Sequence, residues 1–446
     1  MKLPYERPVL RQLTGGMPGK HGPRAGAAAV PALDGVPVAA LLARFGSPLF
    51  VLSERQLRRS YQAAVRAFGT RYPQVQLAWS YKTNYLNAVC RVFHQEGAWA
   101  EVVSGLELEK ALGNGVPGPQ ILFNGPGKRP ADLLRALEVD AVVHLDHADE
   151  LHQLLALAAG RARPARVALR VNLDAGPGTP PWDRFGFNYE NGDAWQALGR
   201  IAAAPGALEL VGLHCHIGTY VLAPSAYAAA AAKLAALARR CQQELRAPVQ
   251  YLDLGGGFPS GNALKGGGAP AVPSLDAYAA AITGALLGAG FPPDALPLLV
   301  LEAGRALVDE AGTLAGTVLA TKRLADGRRA TVLDFGVNLL FTAFWYDHAV
   351  SPVRAPSAHT EPTVLLGPLC MNIDVLRESV ELPLLSAGDQ VVVHRVGAYN
   401  LSQWQQFITL RPNVVLLDQQ GSPHLIRAAE TLEYLQQLEL VPPHLR

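Results

Sequence analysis

From residue 75 onward the apolar positions change period at regular intervals. Val75, Leu77, Trp79 and Tyr81 alternate with Gln76, Ala78, Ser80 and Lys82, which predicts a strand with Lys82 on its polar face. Leu86, Val89, Cys90 and Phe93 then recur at helical spacing. The unit repeats: short apolar runs at 100–103, 121–123, 141–145, 167–171, 210–213, 251–254 and 298–301 are mostly separated by Ala/Leu-rich helical segments. With the Lys82 strand these make about eight βα units, the content of a TIM-type (β/α)8 barrel. A doubly wound open sheet is the competing architecture. The barrel is preferred because no GxGxxG turn follows the first strand, whereas Gly255-Gly256-Gly257 follows the seventh, where barrels commonly hold phosphate. Upstream, residues 49–52 read as a short strand, with Ser53 capping a helix that begins at Glu54. Beyond Arg305, β-rich runs at 313–319, 330–333, 362–366 and 390–396 lack helical spacers of comparable length and predict a separate β domain. Residues 1–30 are Gly/Pro/Arg-rich and aperiodic, the texture of a loose arm.

Composition narrows the function classes. In a chain of 446 residues, 39 Lys and Arg face 37 Asp and Glu, for a net charge of +2 with both signs dispersed; nucleic acid is not an expected partner. The longest apolar stretch, around 226–237, is Ala-rich and broken by Lys233, which predicts an amphipathic surface helix and no membrane span. The N-terminal segment has no apolar signal core, so a cytoplasmic protein is expected. The four cysteines are scattered without a CxxC pair, which argues against a disulfide framework or a thiolate zinc site. Only 8 of the 39 basic residues are lysines, so Lys82 in an apolar strand pattern stands out.

In a barrel the C-terminal strand ends face the active site, and here they are polar: Lys82, Glu101 with Ser104, Asn124, His144 with Asp146, Arg170 with Asn172, His214 with His216, the three glycines, and Glu302 with Arg305. A lysine at this place is either a side chain snorkelling from a strand end or a Schiff-base amine. Gly255-Gly256-Gly257 is either a flexible turn or a phosphate cradle. His214 and His216, two apart on one strand, are either a metal pair lacking a third ligand or one structural ring and one stacked on a flat cofactor. Glu302 and Arg305 could pair at the surface; alternatively, Glu302 could stabilise a pyridinium and strengthen an electron sink. Cys370 is either a buried inert thiol or a proton donor.

Eight ordered motifs then carry a resemblance. Tyr81-Lys82-Thr83-Asn84, Glu101-Val102-Val103-Ser104-Gly105 with Glu107, Arg170-Val171-Asn172, His216-Ile217-Gly218-Thr219, Leu254-Gly255-Gly256-Gly257-Phe258, Glu302-Ala303-Gly304-Arg305, residues 367–374 around Cys370, and Gly397-Ala398-Tyr399 resemble those of fold-type III PLP decarboxylases, the diaminopimelate, ornithine and arginine decarboxylase relatives. The resemblance implies an alanine racemase-like fold: an N-terminal arm over 1–45 that partly joins the β domain, a PLP-binding barrel over 46–305 and a C-terminal β domain over 306–446. It implies that Lys82 carries pyridoxal 5'-phosphate, that His216 stacks on its ring, that Glu302 meets the pyridine nitrogen, and that Glu101 and Arg170 lie beside the ring. Thr219, Gly255, Gly256, Gly257, Gly304, Arg305 and Tyr399 would hold the phosphate. No metal is implied. It further implies a head-to-tail homodimer in which Cys370 of one subunit protonates the carbanion formed on the other.

The departures concern the substrate. Diaminopimelate decarboxylases carry an acidic residue after the catalytic cysteine and an Arg-Pro pair before a Tyr; here those positions are Met371 and Phe341-Thr342. Tyr346-Asp347 is similar to the ornithine decarboxylase pattern, whose Asp holds a distal ammonium. Asn124-Gly125-Pro126-Gly127-Lys128 resembles decarboxylase-like enzymes that act on larger, conjugated amino acids. The expected activity is therefore α-decarboxylation of a diamino or conjugated amino acid, in siderophore or other secondary metabolism, with Tyr346, Asp347, Met371 and Asp374 near the substrate. The alternatives are an amino-acid racemase of the same fold and a metal-dependent barrel hydrolase built on His214 and His216.

Overall fold

The computed structural model describes residues 28–176, 179, 182–267, 271–354 and 359–445; most of the expected arm, residues 1–27, lies outside them. Eight parallel strands form the barrel: β1 (Val75–Ser80), β2 (Trp99–Val102), β3 (Ile121–Phe123), β4 (Val142–Leu145), β5 (Ala165–Asn172), β6 (Leu208–His214), β7 (Tyr251–Asp253) and β8 (Leu298–Ala303). Each pairs with the next, and β8 pairs with β1, so the sheet closes on itself and the open-sheet alternative falls. Small and medium side chains, among them Ala78, Leu122, Val142, Ala168, Val211 and Val300, form a cluster of their own inside the strands, while Leu77 and Trp79 pack outward in the larger core. The period-two pattern records this division of faces.

Helices follow most strands where the spacing places them. Ser53 caps helix Glu54–Gly69 by accepting from the Gln56 N–H, and Val89, Cys90 and Phe93 form the buried stripe of helix Asn87–Gln95. The Ala-rich stretch is helix Pro224–Arg240, whose alanines let it lie close against the barrel. Among the described residues no helix is long and apolar enough to cross a membrane.

The β domain is organised around the long strand Gly312–Arg323, which pairs antiparallel with Arg329–Leu333, with Gln390–His394 and with Leu49–Ser53. This last pairing corrects the expected boundary at residue 46. Leu49–Ser53 lies in the C-terminal sheet, with Gly312–Arg323 on one side and the parallel strand Val414–Leu417 on the other. Its sequence, LFVLS, is apolar on both faces and needs a central place. Phe50 and Leu52 join the main core, while Leu49 and Val51 pack with Val38, Leu41 and Leu42 of helix Val38–Phe45. That helix follows the short antiparallel pair Ala32–Leu33 and Val36–Pro37 within the described part of the arm, and it packs on the β domain.

A buried carboxylate ties the two parts together. Asp309 Oδ2 accepts from Ser260 Oγ at 2.5 Å and Asn262 Nδ2 at 2.9 Å, and its Oδ1 accepts from the Ala398 N–H at 3.2 Å. Burial pushes its carboxyl up to about 6, against the opposing pull of Arg305. Asp309→Ala should lower unfolding stability by about 3 kcal/mol, since it orphans a buried network; a urea midpoint unchanged from wild type would refute this.

Candidate functional site

Strand β1 stops at Ser80, and the chain enters a 3-10 turn, Tyr81–Thr83. Lys82 therefore sits on this turn at the mouth and not on the strand face, a correction to the period-two reading. The turn is held from the β domain: the Tyr399 N–H donates to Thr83 O (2.8 Å) and Ser402 Oγ to Lys82 O (2.8 Å).

The Lys82 ammonium lies 2.7 and 2.5 Å from the two oxygens of Glu101, which also accept from Ser80 Oγ (2.6 Å) and Asn124 Nδ2 (3.2 Å). Asn124 Nδ2 reaches Glu302 Oε1 at 2.5 Å, and His214 Nε2 lies 3.2 Å from Glu302 Oε2. One polar chain thus joins the ends of β1, β2, β3, β8 and β6. Burial pulls the Lys82 pKa down, but Glu101, Glu302 and Tyr399 outweigh it and leave the ammonium above its ordinary value. Burial holds His214 well below the ordinary imidazole range, so it is neutral and donates from Nε2 to Glu302. Glu107 turns back to accept from the Val103 N–H at 2.9 Å and is pushed up to about 7 by burial and by the Glu101 charge.

On one side of Lys82 a cavity of about 180 Å³ is lined by His216, Thr219, Gly256, Gly257, Glu302, Gly304, Arg305 and Tyr399. A Cβ on Gly256 would strike the Glu302 carbonyl, and one on Gly257 the Gly218 carbonyl; Gly257 also has φ +94°, where side chains are strained. Gly255 donates its N–H to Asp253 Oδ1 at 2.8 Å. The Arg305 guanidinium lies 4.8 Å from the rings of both Tyr346 and Tyr399, and its buried Nη1 has no hydrogen-bond partner; Asp309 stands 3.9 Å away. A glycine cradle beside an unspent buried guanidinium suits a phosphate. Glu302 and Arg305 do not pair with each other.

On the other side lies a cavity of about 260 Å³, bordered by Glu101, Asn124, Arg170, Phe185, His214 and Glu302. Arg170 pairs with Asp146 at 3.3 Å and lies 4.5 Å from the Phe185 ring. The His216 ring stands between the two cavities with its Nδ1 accepting from the Gly256 N–H at 3.2 Å. Trp182 meets that ring edge-on at 5.9 Å and lines both cavities. Sequence reasoning missed Trp182, because it lies beyond any periodic segment.

His214 and His216 do not converge. His214 joins a buried group with His144, Asp253 and Glu302, whereas His216 turns to the glycine loop, so the alternative of a metal pair made by His214 and His216 is not what the two-residue spacing produces. Asp374, expected near the substrate, is instead buried structure: its carboxylate accepts the Val337 and Leu369 N–H groups (both 2.8 Å) and fixes the loop that carries Cys370. Cys370 is exposed, contrary to the inert-thiol reading, and lines neither cavity. Met371 is half-buried beside it. Tyr346 is buried under Arg305, and Asp347 is engaged, 3.3 Å from Arg377 and accepting the Gly266 N–H at 3.2 Å.

Residues 55–309, which hold the whole barrel, match the family described as pyridoxal-dependent decarboxylase, pyridoxal binding domain. The chain belongs to this decarboxylase family. It is similar to the diaminopimelate decarboxylase of Methanocaldococcus jannaschii, 29% identical over 93% of this chain and 95% of the relative. It is also similar to that of Actinosynnema pretiosum, 35% identical over 82% of this chain and 83% of the relative. The crystal structure of the M. jannaschii enzyme superposes with a TM-score of 0.86 over 93% of this chain and 97% of its own. The family match and this likeness bear out the fold-type III reading: a TIM-like barrel with a C-terminal β domain, in a PLP-dependent amino-acid decarboxylase family.

The His216 ring is pushed down to about 3 by burial, with Arg170 and Lys82 adding to it. Its ring resonances should therefore not titrate through the neutral range, and protonation should begin only as the pH falls towards about 3. A His216 titration midpoint near the ordinary imidazole value, measured by NMR, would contradict the geometry.

Proposed function

We propose that this protein is an amino-acid α-decarboxylase that binds pyridoxal 5'-phosphate through the Lys82 amine. What carries the reading is one arrangement: Lys82 and Glu302 on a common polar chain, next to a glycine cradle with an unspent Arg305 guanidinium. The bound cofactor supplies the electron sink for the charge left when CO₂ departs.

The chain's residues supply the rest. Glu101, held by Ser80 and Asn124, fixes the Lys82 amine at the mouth between the two cavities. Glu302, oriented by Asn124 and His214, holds a proton on the ring nitrogen. His216, fixed by the Gly256 N–H, presents a neutral ring face, and Arg170 lies in the same cavity. The side-chain-free walls of Gly255, Gly256 and Gly257, with the Gly257 N–H and with Thr219, Gly304, Arg305 and Tyr399, would hold the phosphate; the Gly255 and Gly256 N–H groups are engaged by Asp253 and His216. Cys370, exposed and away from both cavities of its own chain, delivers a proton to the site of a second copy in a homodimer. A carboxylate at residue 302 favours this decarboxylase over a racemase, which gains from a weaker sink.

The substrate follows from the distal residues. Met371 cannot hold an ammonium strongly, and Asp347 already serves Arg377 and Gly266. An amino acid with a conjugated distal end therefore fits better than a free diamino acid.

Lys82→Ala should lose the visible absorbance of bound cofactor and all turnover above background, so full turnover in that variant would sink the proposal. Mixing Lys82→Ala with Cys370→Ala should restore about a quarter of wild-type activity, because random reassortment gives half heterodimers, each with one intact site; no recovery on mixing would exclude a shared site. Across a substrate panel, kcat/KM should be higher for acyl-conjugated than for free diamino acids, and the reverse order would overturn the substrate assignment.

A further inference from the structure

Below the two cavities, β4, β6, β7 and β8 contribute His144, His214, Asp253 and Glu302, all buried, with donor atoms within 4.8 Å of one another. His144 Nε2 lies 2.8 Å from the Tyr251 hydroxyl, the His144 and His214 rings are 5.0 Å apart, and His214 Nε2 is spent on Glu302. Asp253 accepts the Gly255 N–H through Oδ1, but its Oδ2 is buried without a hydrogen-bond partner. Neither Asp253 nor Glu302 has a Lys or Arg ion-pair partner among the described residues, since Lys82 pairs with Glu101 and Arg170 with Asp146.

Two carboxyl groups this close, sealed from water, cannot both carry a charge. The groups around Asp253 do not relieve the conflict. His214 on β6 and Glu302 on β8 flank it, the Tyr251 hydroxyl shares its strand, the Cys215 thiol follows β6, and Glu101 adds a further negative charge from β2. We propose that Asp253 is a neutral acid whose Oδ2 lends its proton to Glu302, so that the pair carries one negative charge and Asp253 is the positioning residue of the Glu302 carboxylate. Burial first, and then the Glu302 charge, hold the Asp253 carboxyl well above the ordinary carboxylate range, which agrees with this. The arrangement leaves Glu302 with a single charge directed at the cavity and restrained by three donors: Asn124, His214 and Asp253. It rests on the role given to Glu302 above only for its consequence; the shared proton is a property of the chain itself.

The test begins with the apoprotein. Infrared difference spectra of wild type against Asp253→Asn at neutral pH should contain the carbonyl stretch of one buried, protonated carboxyl group. Cofactor affinity then separates positioning from bulk packing. Asp253→Asn, whose amide donates in the same direction, should bind pyridoxal 5'-phosphate within about threefold of wild type, and Asp253→Leu, which cannot donate, should weaken it by about tenfold or more. The absence of the protonated-carboxyl band, or equal weakening by both substitutions, overturns the proposal. A band present in a wild-type protein that never binds pyridoxal phosphate would leave the shared proton standing and remove the cofactor reading instead.

Discussion

The site depends on the pairing of the first and last barrel strands. Ala78 lies opposite Glu302 and Trp79 opposite Ala303, so closure brings residue 302 beside residue 82 although most of the barrel sequence separates them. Without that register Glu101 would still neutralise Lys82, because β1 and β2 are neighbours, but no carboxylate would stand across the mouth. Asn124 then bridges the two acids, and His214 takes the remaining oxygen of Glu302. Each donor is fixed by a strand end, and this gives the rigidity that a preorganised electrostatic site requires.

The β domain contributes through backbone as much as through side chains. The Tyr399 N–H and the Ser402 hydroxyl hold the carbonyls of the Lys82 turn, while Ala398 and Gly397 return to Asp309. Tyr399 and Tyr346 each lie 4.8 Å from the Arg305 guanidinium, which lines the same cavity as Gly256 and Gly257. Two ring faces replace part of the water this buried cation has lost, and its unpartnered Nη1 leaves one strong donor for an anion.

Much of this was legible from residue order. The first strand follows from alternation and the other seven from short apolar runs, the helices from the return of helical spacing, and the barrel from the count of βα units and the lack of a glycine-rich turn after β1. Lys82, Glu302, Arg305 and the three glycines are found by asking what stands at strand ends. Other features were hidden for physical reasons. Lys82 sits on a turn because β1 ends two residues early, which alternation cannot reveal. Asp374 looks like a substrate ligand by neighbourhood to Cys370, but its carboxylate is consumed by two backbone N–H groups. Asp253 and His144 fall in apolar runs whose pattern gives no sign that they meet, and Trp182 lies outside any periodic segment. The pairing of Asp347 with Arg377 joins residues of different elements, and spacing says nothing about such contacts.

The strand Leu49–Ser53 gives the molecule an unusual order of assembly. It precedes the whole barrel, yet both of its neighbours, Gly312–Arg323 and Val414–Leu417, follow the barrel. The barrel is thus an insertion within a β domain whose first and last segments lie side by side. On the ribosome this apolar strand emerges early and waits for partners made near the end of synthesis. Once they arrive, the sheet fastens both ends of the barrel to one scaffold, so the catalytic mouth and the residues that cover it cannot drift apart as two independent modules.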